Sequence, residues 1–571
     1  MDINNRKDIS IVLSGEAGQG LQTMERLMLR IFKLSGYHVF SYDEVMSRIR
    51  GGNNSTEIRV SSERINSFVG RIDFFVSLHV DAMERFHERI SDDTIIIGEA
   101  ANIEGRYRNG KNTVIEVPIG EMARQAGGPI YANIIVIGIF TALFGVEQEF
   151  VRGQLKNSFK KLSDDAMAKN FAAAEKGFEA GKEISRRHGI VIGLARTDGV
   201  KGELLLSGAD AVGIGGLAGG CNFVSSYPMS PSTEVLTFFA GVSEEFGIVV
   251  EQAEDEISAV NMVLGSWYAG GRGMVTTSGG GFALMVEALS LAGAVESPLV
   301  VHLGQRPGPA TGLPTRTEQG DLMFSLFAGH GEFPRAIFAP GDFEQGFALT
   351  RRAFYIADTY QVPAIILTDQ YFLDSYYNVP DLDIRSGMAE NHIVPTDEGY
   401  RRYRITETGV SPRGIPGLGS GIVCLDSDEH TEEGYITEDF GVRTAMVDKR
   451  LRKLRAMEKE ILPPRLYGPD KYTYLLVAWG STLNAVREAL RNAGRNDTAL
   501  LHFEQVYPLH ADTARLLARA KKKVIIENNA TSQFGGLIKL ITGAVFDRAI
   551  LKYDGMPFTV EEITAAIREL P

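Results

Sequence analysis

Short apolar runs alternate with amphipathic helical patterns along most of this chain. "ISIVLSG" at residues 9–15 leads into "LQTMERLMLRIFKLSG" at 21–36, and the same alternation returns at "YTYLLVAWGSTLNAVREAL". Strands that alternate with helices of this length are connected by crossovers, so they pair side by side in parallel sheets with helices on their faces. The expected fold class is therefore α/β.

Three α/β blocks can be separated. The first covers residues 1–185 and closes on "AMAKNFAAAEKGFEAGKEISRR", whose polarity predicts a surface helix running into a linker at 186–200. The second, 201–385, is the richest in glycine. Between 386 and 467 the pattern loosens through "VSPRGIPGLGSG" and "DSDEHTEEGY" into the basic helix "VDKRLRKLRAMEKE", which is connector material. A third block spans 468–571.

Charge and cysteine content exclude several function classes. A net charge of −13 disfavours nucleic acid, which needs a basic face. The N-terminal "MDINNRKDIS" is charged where a signal peptide is apolar, and "IIVIGIFTALFG" is too short to span a bilayer, so a cytoplasmic location is expected. Only Cys221 and Cys424 are present, too few for a disulfide framework, a CxxC zinc pair or an iron–sulfur cluster held by this chain alone.

Two glycine-rich stretches invite a nucleotide-binding reading. "GEAGQG" (Gly15, Gly18, Gly20) has G-x-x-G-x-G spacing, which predicts a tight strand-to-helix turn and not a dinucleotide fingerprint. "GIGGLA" (213–218) lies within "ADAVGIGGLAGG", expected as a small-residue helix packed closely on a sheet.

The acidic stretch "EQAEDEISAVNMVL" (251–264) carries the sharper signal. In a helix starting near Asp255, Glu256 shares a stripe with Val260, Val263 and Trp267, so its carboxyl points along an apolar face. Glu254 and Glu251 are expected as solvated acids at the helix start. Burying a carboxylate costs several kcal/mol unless it is paired or protonated. Such a group is either satisfied by a structural donor, the commoner case, or kept for proton chemistry.

Upstream, "NFVSSYPMSPSTEV" is a strand and a Pro-bracketed loop that presents Ser230 and Ser232. Downstream, "PLVVHLGQRPGPATGLPTRTEQGDL" repeats the arrangement with Arg306, Thr311, Thr315 and Arg316. Ligands of open α/β sheets collect at the carboxyl ends of strands, and guanidinium groups there suit a carboxylate-bearing substrate. The plain alternative makes Ser232 a helix cap and the arginines surface residues.

Together, "YPMSPST", "EDEISAVNMVLGSWYAGGRGMVTTSGGG" and "GQRPGPATGLPTRTEQGDL" resemble the α subunits of 2-oxoacid:ferredoxin oxidoreductases, most closely those of the 2-oxoglutarate enzymes. The resemblance covers the whole chain. Residues 1–185 look like a γ-type domain fused ahead of α, through "SGEAGQG" and "SRIRGGNNSTEIRVS"; 201–385 look like a pyrimidine-type thiamine diphosphate domain, and 468–571 like a transketolase C-terminal domain.

The resemblance implies thiamine diphosphate shared between two chains. A β subunit would supply the pyrophosphate site, Mg2+ and a four-iron four-sulfur cluster. That accounts for the two cysteines and for the absence of GDG, the sequence with which such enzymes commonly hold the pyrophosphate; the "ENN" at 527–529 lacks this upstream half and is expected as a turn.

By the match, Glu256 bonds the pyrimidine N1′, and Ser230, Arg306 and Thr315 contact the substrate carboxylate and keto group. Ser230 replaces the Thr more usual in "YPITPS", which puts pocket fit in question. Arg316, the only other Arg between 307 and 330, is the candidate in this chain for a distal substrate carboxylate.

The implied reaction is decarboxylation of 2-oxoglutarate, with electrons passing to ferredoxin and the acyl group to coenzyme A, or the reverse carboxylation. An αβ unit that dimerises is implied. Another 2-oxoacid, such as pyruvate or a branched-chain acid, and a non-catalytic scaffold stay open as alternatives.

Overall fold

A computed structural model describes residues 3–16, 19–46, 52–384 and 390–571. The chain divides into two compact units, one of residues 1–206 with 375–381 and one of 207–374 with 382–571.

The first unit is built on β1 (Asp8–Glu16), β2 (His38–Glu44), β3 (Asn53–Ser61), β4 (Phe74–Ser77), β5 (Ile95–Gly98), β6 (Thr113–Glu116) and β7 (Leu204–Ser207). β1, β4, β5 and β6 run parallel, as the alternation predicts. β3 pairs antiparallel with both β1 and β2, so this sheet is mixed where parallel strands were expected. The connection from β2 to β3 is too short for a helical crossover, and a short connection can only return the chain antiparallel.

The helix expected to be solvated, Asp164–His188, is exposed on one side only. Its Gly177 and Gly181 meet the apolar helix Ala132–Leu143 so closely that a Cβ would fall 2.1 Å from Ile135 O and 2.5 Å from Ile139 O. No single helix among the described residues is long and apolar enough to cross a membrane.

The second unit opens with the helix Gly208–Ala218, the small-residue helix that the sequence predicts. A Cβ at Gly215 would sit 2.5 Å from Phe347 O, so the small residues buy a close approach that any larger residue would block. The strands β8 (Phe223–Ser226), β9 (Val249–Gln252), β10 (Gly273–Thr277), β11 (Leu299–Gln305), β12 (Ala336–Phe338) and β13 (Pro363–Asp369) are all parallel. Their spatial order is β12-β13-β11-β10-β8-β9. From β8 the chain goes outward to β9, then returns past β8 to β10, which makes the β8/β10 boundary a topological switch point.

β14 (Ser375–Val379), placed by the sequence in the second block, instead pairs antiparallel with β2 in the sheet of the first unit. The connector ends in β15 (Arg465–Tyr467), and the third block contributes β16 (Tyr474–Trp479), β17 (Thr498–Phe503), β18 (Gln505–Tyr507), β19 (Lys522–Glu527) and β20 (Arg548–Leu551). β18 leaves its neighbours and extends the seven-stranded sheet beyond β12.

The connector also departs from expectation. Its helix Phe440–Met457 buries two lysines against one acid, with Lys449 Nζ 2.6 and 2.7 Å from the Glu296 oxygens and Lys453 Nζ 2.5 Å from Oε2. Arg413 of the connector pairs with buried Asp358 at 2.6 Å. The loose pattern in the sequence thus hides specific charge pairing.

Candidate functional site at the strand ends

Four loops leave the carboxyl ends of β8, β9, β10 and β11 around the switch point and carry the predicted residues. After β8 the chain turns through Met229 and Ser230; the turn is fastened by Ser232 Oγ, which donates to Met229 O at 2.8 Å. Ser232 occupies the N-cap position of Thr233–Phe246 but makes no side-chain cap bond, so the capping alternative gives way to a turn staple. Arg306, just past β11, donates from Nη1 to Ser230 O at 2.6 Å, joining the two predicted loops.

Behind these loops, His302 ties three strands together. Its Nδ1 lies 2.7 Å from Thr276 Oγ1 on β10 and its Nε2 2.8 Å from Thr368 Oγ1 on β13. Burial pushes its pKa down to about 3, so the imidazole is a neutral bridge.

Asp255 caps the following helix, accepting from Ser258 N at 2.7 Å, and the helix proper starts at Glu256. Val260 and Val263 are fully buried and Trp267 nearly so, as the stripe predicts, and Glu256 is only 4% exposed. Glu251 and Glu254 are exposed. Glu256 is therefore the acid carried inward.

Its carboxyl has no structural donor on Oε1. It faces instead a run of three glycines after β10. A Cβ on Gly281 would lie 2.6 Å from Glu256 Oε1, one on Gly280 would only touch Met229 Sδ at 4.0 Å, and one on Gly279 would lie 2.7 Å from Asp321 Oδ2. The glycines form a bare floor, with Glu256 at one end and Asp321 at the other.

Buried polar atoms are nearly always hydrogen-bonded, so a cluster that is not marks a place for a bound group. Around this floor Glu256 Oε1, Ser278 Oγ, Arg306 Nε and Asp321 Oδ2 are all buried without a partner. Asp321 and Ser278 were not singled out in the sequence. Asp321 in "EQGDL" precedes a short helix, Leu322–Phe327, and has the pattern of an ordinary cap; the bond from its N–H to Gln305 Oε1 at 3.0 Å is what places it.

The rest of the downstream loop is held by the third block. Gln319 donates from Nε2 to Trp479 O at 2.9 Å, and its Oε1 accepts from Asn528 N at 3.0 Å. The "ENN" turn follows β19, as predicted, and Asn529 Nδ2 reaches Gln319 O at 3.1 Å. Thr315 and Arg316 are half-buried on this loop, and Arg316 Nη1 donates to Thr315 O at 3.2 Å. Among the described residues no hydrogen bond joins either to Arg306. The structure thus gathers Glu256, Ser230 and Arg306 and leaves Thr315 and Arg316 further along, with Thr311 exposed.

In the first unit Gly15 is the penultimate residue of β1, and Gly20 takes a left-handed conformation (φ 73°) directly before Leu21–Leu34. Gly18, and residues 47–51 of the second quoted segment, lie outside the described residues. A cavity of about 980 Å³ opens at these strand ends, lined by Gly20, Ser77, Glu99, Arg124 and Asn133 among others.

Residues 214–449 match the family model of pyruvate flavodoxin/ferredoxin oxidoreductases, thiamine diphosphate-binding, and residues 10–180 match that of pyruvate ferredoxin/flavodoxin oxidoreductases. The α subunit of a Sulfolobus 2-oxoacid:ferredoxin oxidoreductase is 30% identical over 98% of this chain and 96% of its own. The chain belongs to the α-subunit family of the 2-oxoacid:ferredoxin oxidoreductases. The 2-oxoglutarate oxidoreductase subunit KorA of Mycobacterium tuberculosis is 30% identical over 78% of this chain and 69% of its own. The 2-oxoglutarate:ferredoxin oxidoreductase of Magnetococcus marinus, solved with 2-oxoglutarate, coenzyme A and succinyl-CoA bound, superposes with a TM-score of 0.91 at 28% identity, over 99% of this chain and all of that one. As a family α subunit, the chain is one part of an oxidoreductase and carries its thiamine diphosphate-binding domain.

Proposed function

We propose that this chain is the α subunit of a 2-oxoglutarate:ferredoxin oxidoreductase, which converts 2-oxoglutarate and coenzyme A to succinyl-CoA and carbon dioxide while reducing ferredoxin, or runs the reverse carboxylation. The observation that supports a bound cofactor and substrate here is the set of four unpartnered polar atoms around the glycine floor. The site fits the pyrimidine end of thiamine diphosphate: an orphaned buried carboxyl faces Gly281, where no side chain stands in the way.

When bound, thiamine diphosphate supplies the carbon nucleophile that adds to a 2-oxo carbon and takes up the electron pair left by carbon dioxide. Glu256 would hold and share a proton at the pyrimidine nitrogen it faces, which the buried, structurally unclaimed Oε1 suits. Arg306, anchored on Ser230 O, would hold the substrate carboxylate next to the keto group, with the hydroxyls of Ser230 and Thr315 as further contacts. Arg316 would read the distal carboxylate.

In this reading a β subunit supplies the pyrophosphate site, Mg2+ and a four-iron four-sulfur cluster, and two αβ units associate. 2-Oxoglutarate is favoured by the names of the Mycobacterium and Magnetococcus relatives. The Sulfolobus relative is named only for 2-oxoacids, and the family models name pyruvate, which keeps another 2-oxoacid as a second reading. The test is coenzyme A-dependent viologen reduction by the αβ complex with each acid. A kcat/KM for 2-oxoglutarate at least tenfold above that for pyruvate supports the first reading, and the reverse order supports the second.

A further inference from the structure

Asp321 is the one carboxyl at the glycine floor without a task in the mechanism above. Its backbone is fixed at both ends, by Gln305 Oε1 on its N–H at 3.0 Å and by Ser325 N and Oγ on its carbonyl at 2.8 and 2.7 Å. Its side chain is held over Gly279, where a Cβ would fall 2.7 and 2.8 Å from its two oxygens. Oδ2 is buried and unpartnered, and so is Arg306 Nε. Yet among the described residues Arg306 forms no ion pair, with Asp321 or any other acid. The guanidinium is spent on a backbone carbonyl and has Nε to spare for a ligand.

A substrate carboxylate that took that place would put a second negative charge beside Asp321. Two carboxyl groups this close cannot both ionise, and they share a proton. We infer that Asp321 takes up a proton as the 2-oxoacid binds and donates it, from Oδ2, in a hydrogen bond to the carboxylate that Arg306 holds. The assignment rests on the proposed function, because it requires a 2-oxoacid at this site.

The charged surroundings agree. Burial, and then Glu318 on the same loop, push the Asp321 pKa up to about 6, while Arg306 beyond β11 pulls it down. Glu256, from the helix across the floor, is the other acid facing the site; Gln305, Ser278 and Met229 bring no charge. Below pH 6 free Asp321 already carries its proton, so binding is independent of pH. Above pH 6 the proton must be taken from water, and binding weakens as pH rises until the pKa of the complex is passed.

The experiment titrates the thiamine diphosphate-loaded αβ complex with a non-reacting analogue of whichever 2-oxoacid it turns over: N-oxalylglycine for 2-oxoglutarate, oxamate for pyruvate. Calorimetry at pH 7.5 in two buffers of different ionisation enthalpy counts the protons. The expected result is close to one proton taken up per analogue, with Kd rising up to about tenfold per pH unit above pH 6. Asp321→Asn, which keeps a donor but cannot titrate, should bind with no uptake and a flat Kd. Glu318→Gln, which leaves Asp321 in place, should move the onset of uptake to lower pH. Absence of uptake by the wild type, full uptake by Asp321→Asn, or an unmoved onset in Glu318→Gln overturns the assignment. A complex that turns over no 2-oxoacid overturns the functional reading with it; one that turns over its acid without proton uptake overturns only the role of Asp321.

Discussion

The carboxyl of Glu256 occupies the space that a side chain on Gly281 would need: a Cβ there would lie 2.6 Å from Oε1 and 2.2 Å from Thr277 Oγ1. Gly281→Ala should therefore displace Glu256, at a stability cost of about 1–3 kcal/mol for overpacking. Half-saturation of activity by thiamine diphosphate should rise at least tenfold. Gly265→Ala, at an exposed position of the helix that carries Glu256 and with nothing within 4 Å of the added carbon, should leave half-saturation within about twofold, the range of ordinary surface changes. Titrating both variants with the cofactor checks the contrast.

Glu256→Gln is nearly isosteric and should fold, but an amide cannot exchange the proton that a carboxyl can. Turnover in 2-oxoacid-dependent dye reduction should fall by about 10²–10⁴, the range for loss of a positioned acid or base. Glu254→Gln, at an exposed position of the same helix start, should be close to normal. Impaired turnover in the Glu254 variant alone would mean that the wrong acid was chosen.

Glu256 was legible from the sequence because its evidence is local: helical spacing alone puts it on a stripe with Val260, Val263 and Trp267. The small-residue helix Gly208–Ala218 was legible for the same reason. Asp321 and His302 were not, since their roles depend on partners brought together by strand order: Gln305 for one, Thr276 and Thr368 for the other. β14 and β18 escaped for a related reason. Strands of five and three residues carry almost no periodicity, and each finds its pairing in a sheet remote in sequence. The connector looked loose because its order comes from buried charges, which resemble solvated ones in a sequence.

Those charges make a stability prediction. Burial alone would raise the Glu296 pKa, but the Lys453 and Lys449 ammonium groups hold it well below the usual carboxylate range. A depressed carboxyl pKa contributes stability that is present above the unfolded value, near 4.5, and is lost as pH falls below it. Glu296→Gln strands two buried lysines and should cost about 3–5 kcal/mol at pH 7. Lys453→Met keeps the Glu296–Lys449 pair and should cost clearly less. Thermal melts from pH 7 down to pH 4 check both; the gap between wild type and Glu296→Gln should narrow toward the acid end.

The division of labour between chains makes a compositional prediction. Two cysteines cannot hold a four-iron cluster, and one of them, Cys221, is buried, where desolvation pushes its thiol up to about 12. The α chain purified alone should be colourless, bind thiamine diphosphate poorly and gain activity only with a β subunit. Iron analysis near four atoms per isolated chain would refute that division.

In the proposed reading, substrate choice turns on Arg316. 2-Oxoglutarate differs from pyruvate by a distal carboxylate, which a buried pocket must pair with a cation or strong donors. In the proposed reading Arg306, anchored on Ser230 O, holds the near carboxylate. Among the described residues no carboxylate pairs with Arg316; its one side-chain hydrogen bond is to Thr315 O at 3.2 Å, and its Cβ and Cγ lie beside Gly555. The side-chain stem is thus fixed while the guanidinium keeps donors for a ligand. Arg316→Met, which preserves the stem, should raise the KM for 2-oxoglutarate about ten- to a hundredfold, equivalent to about 1.5–3 kcal/mol for a charged hydrogen bond. Turnover of pyruvate should change little, because pyruvate has no distal carboxylate to lose. Equal losses on both acids would show that Arg316 supports the loop against Gly555 and does not read the substrate. No change on either would move the distal site to the β subunit.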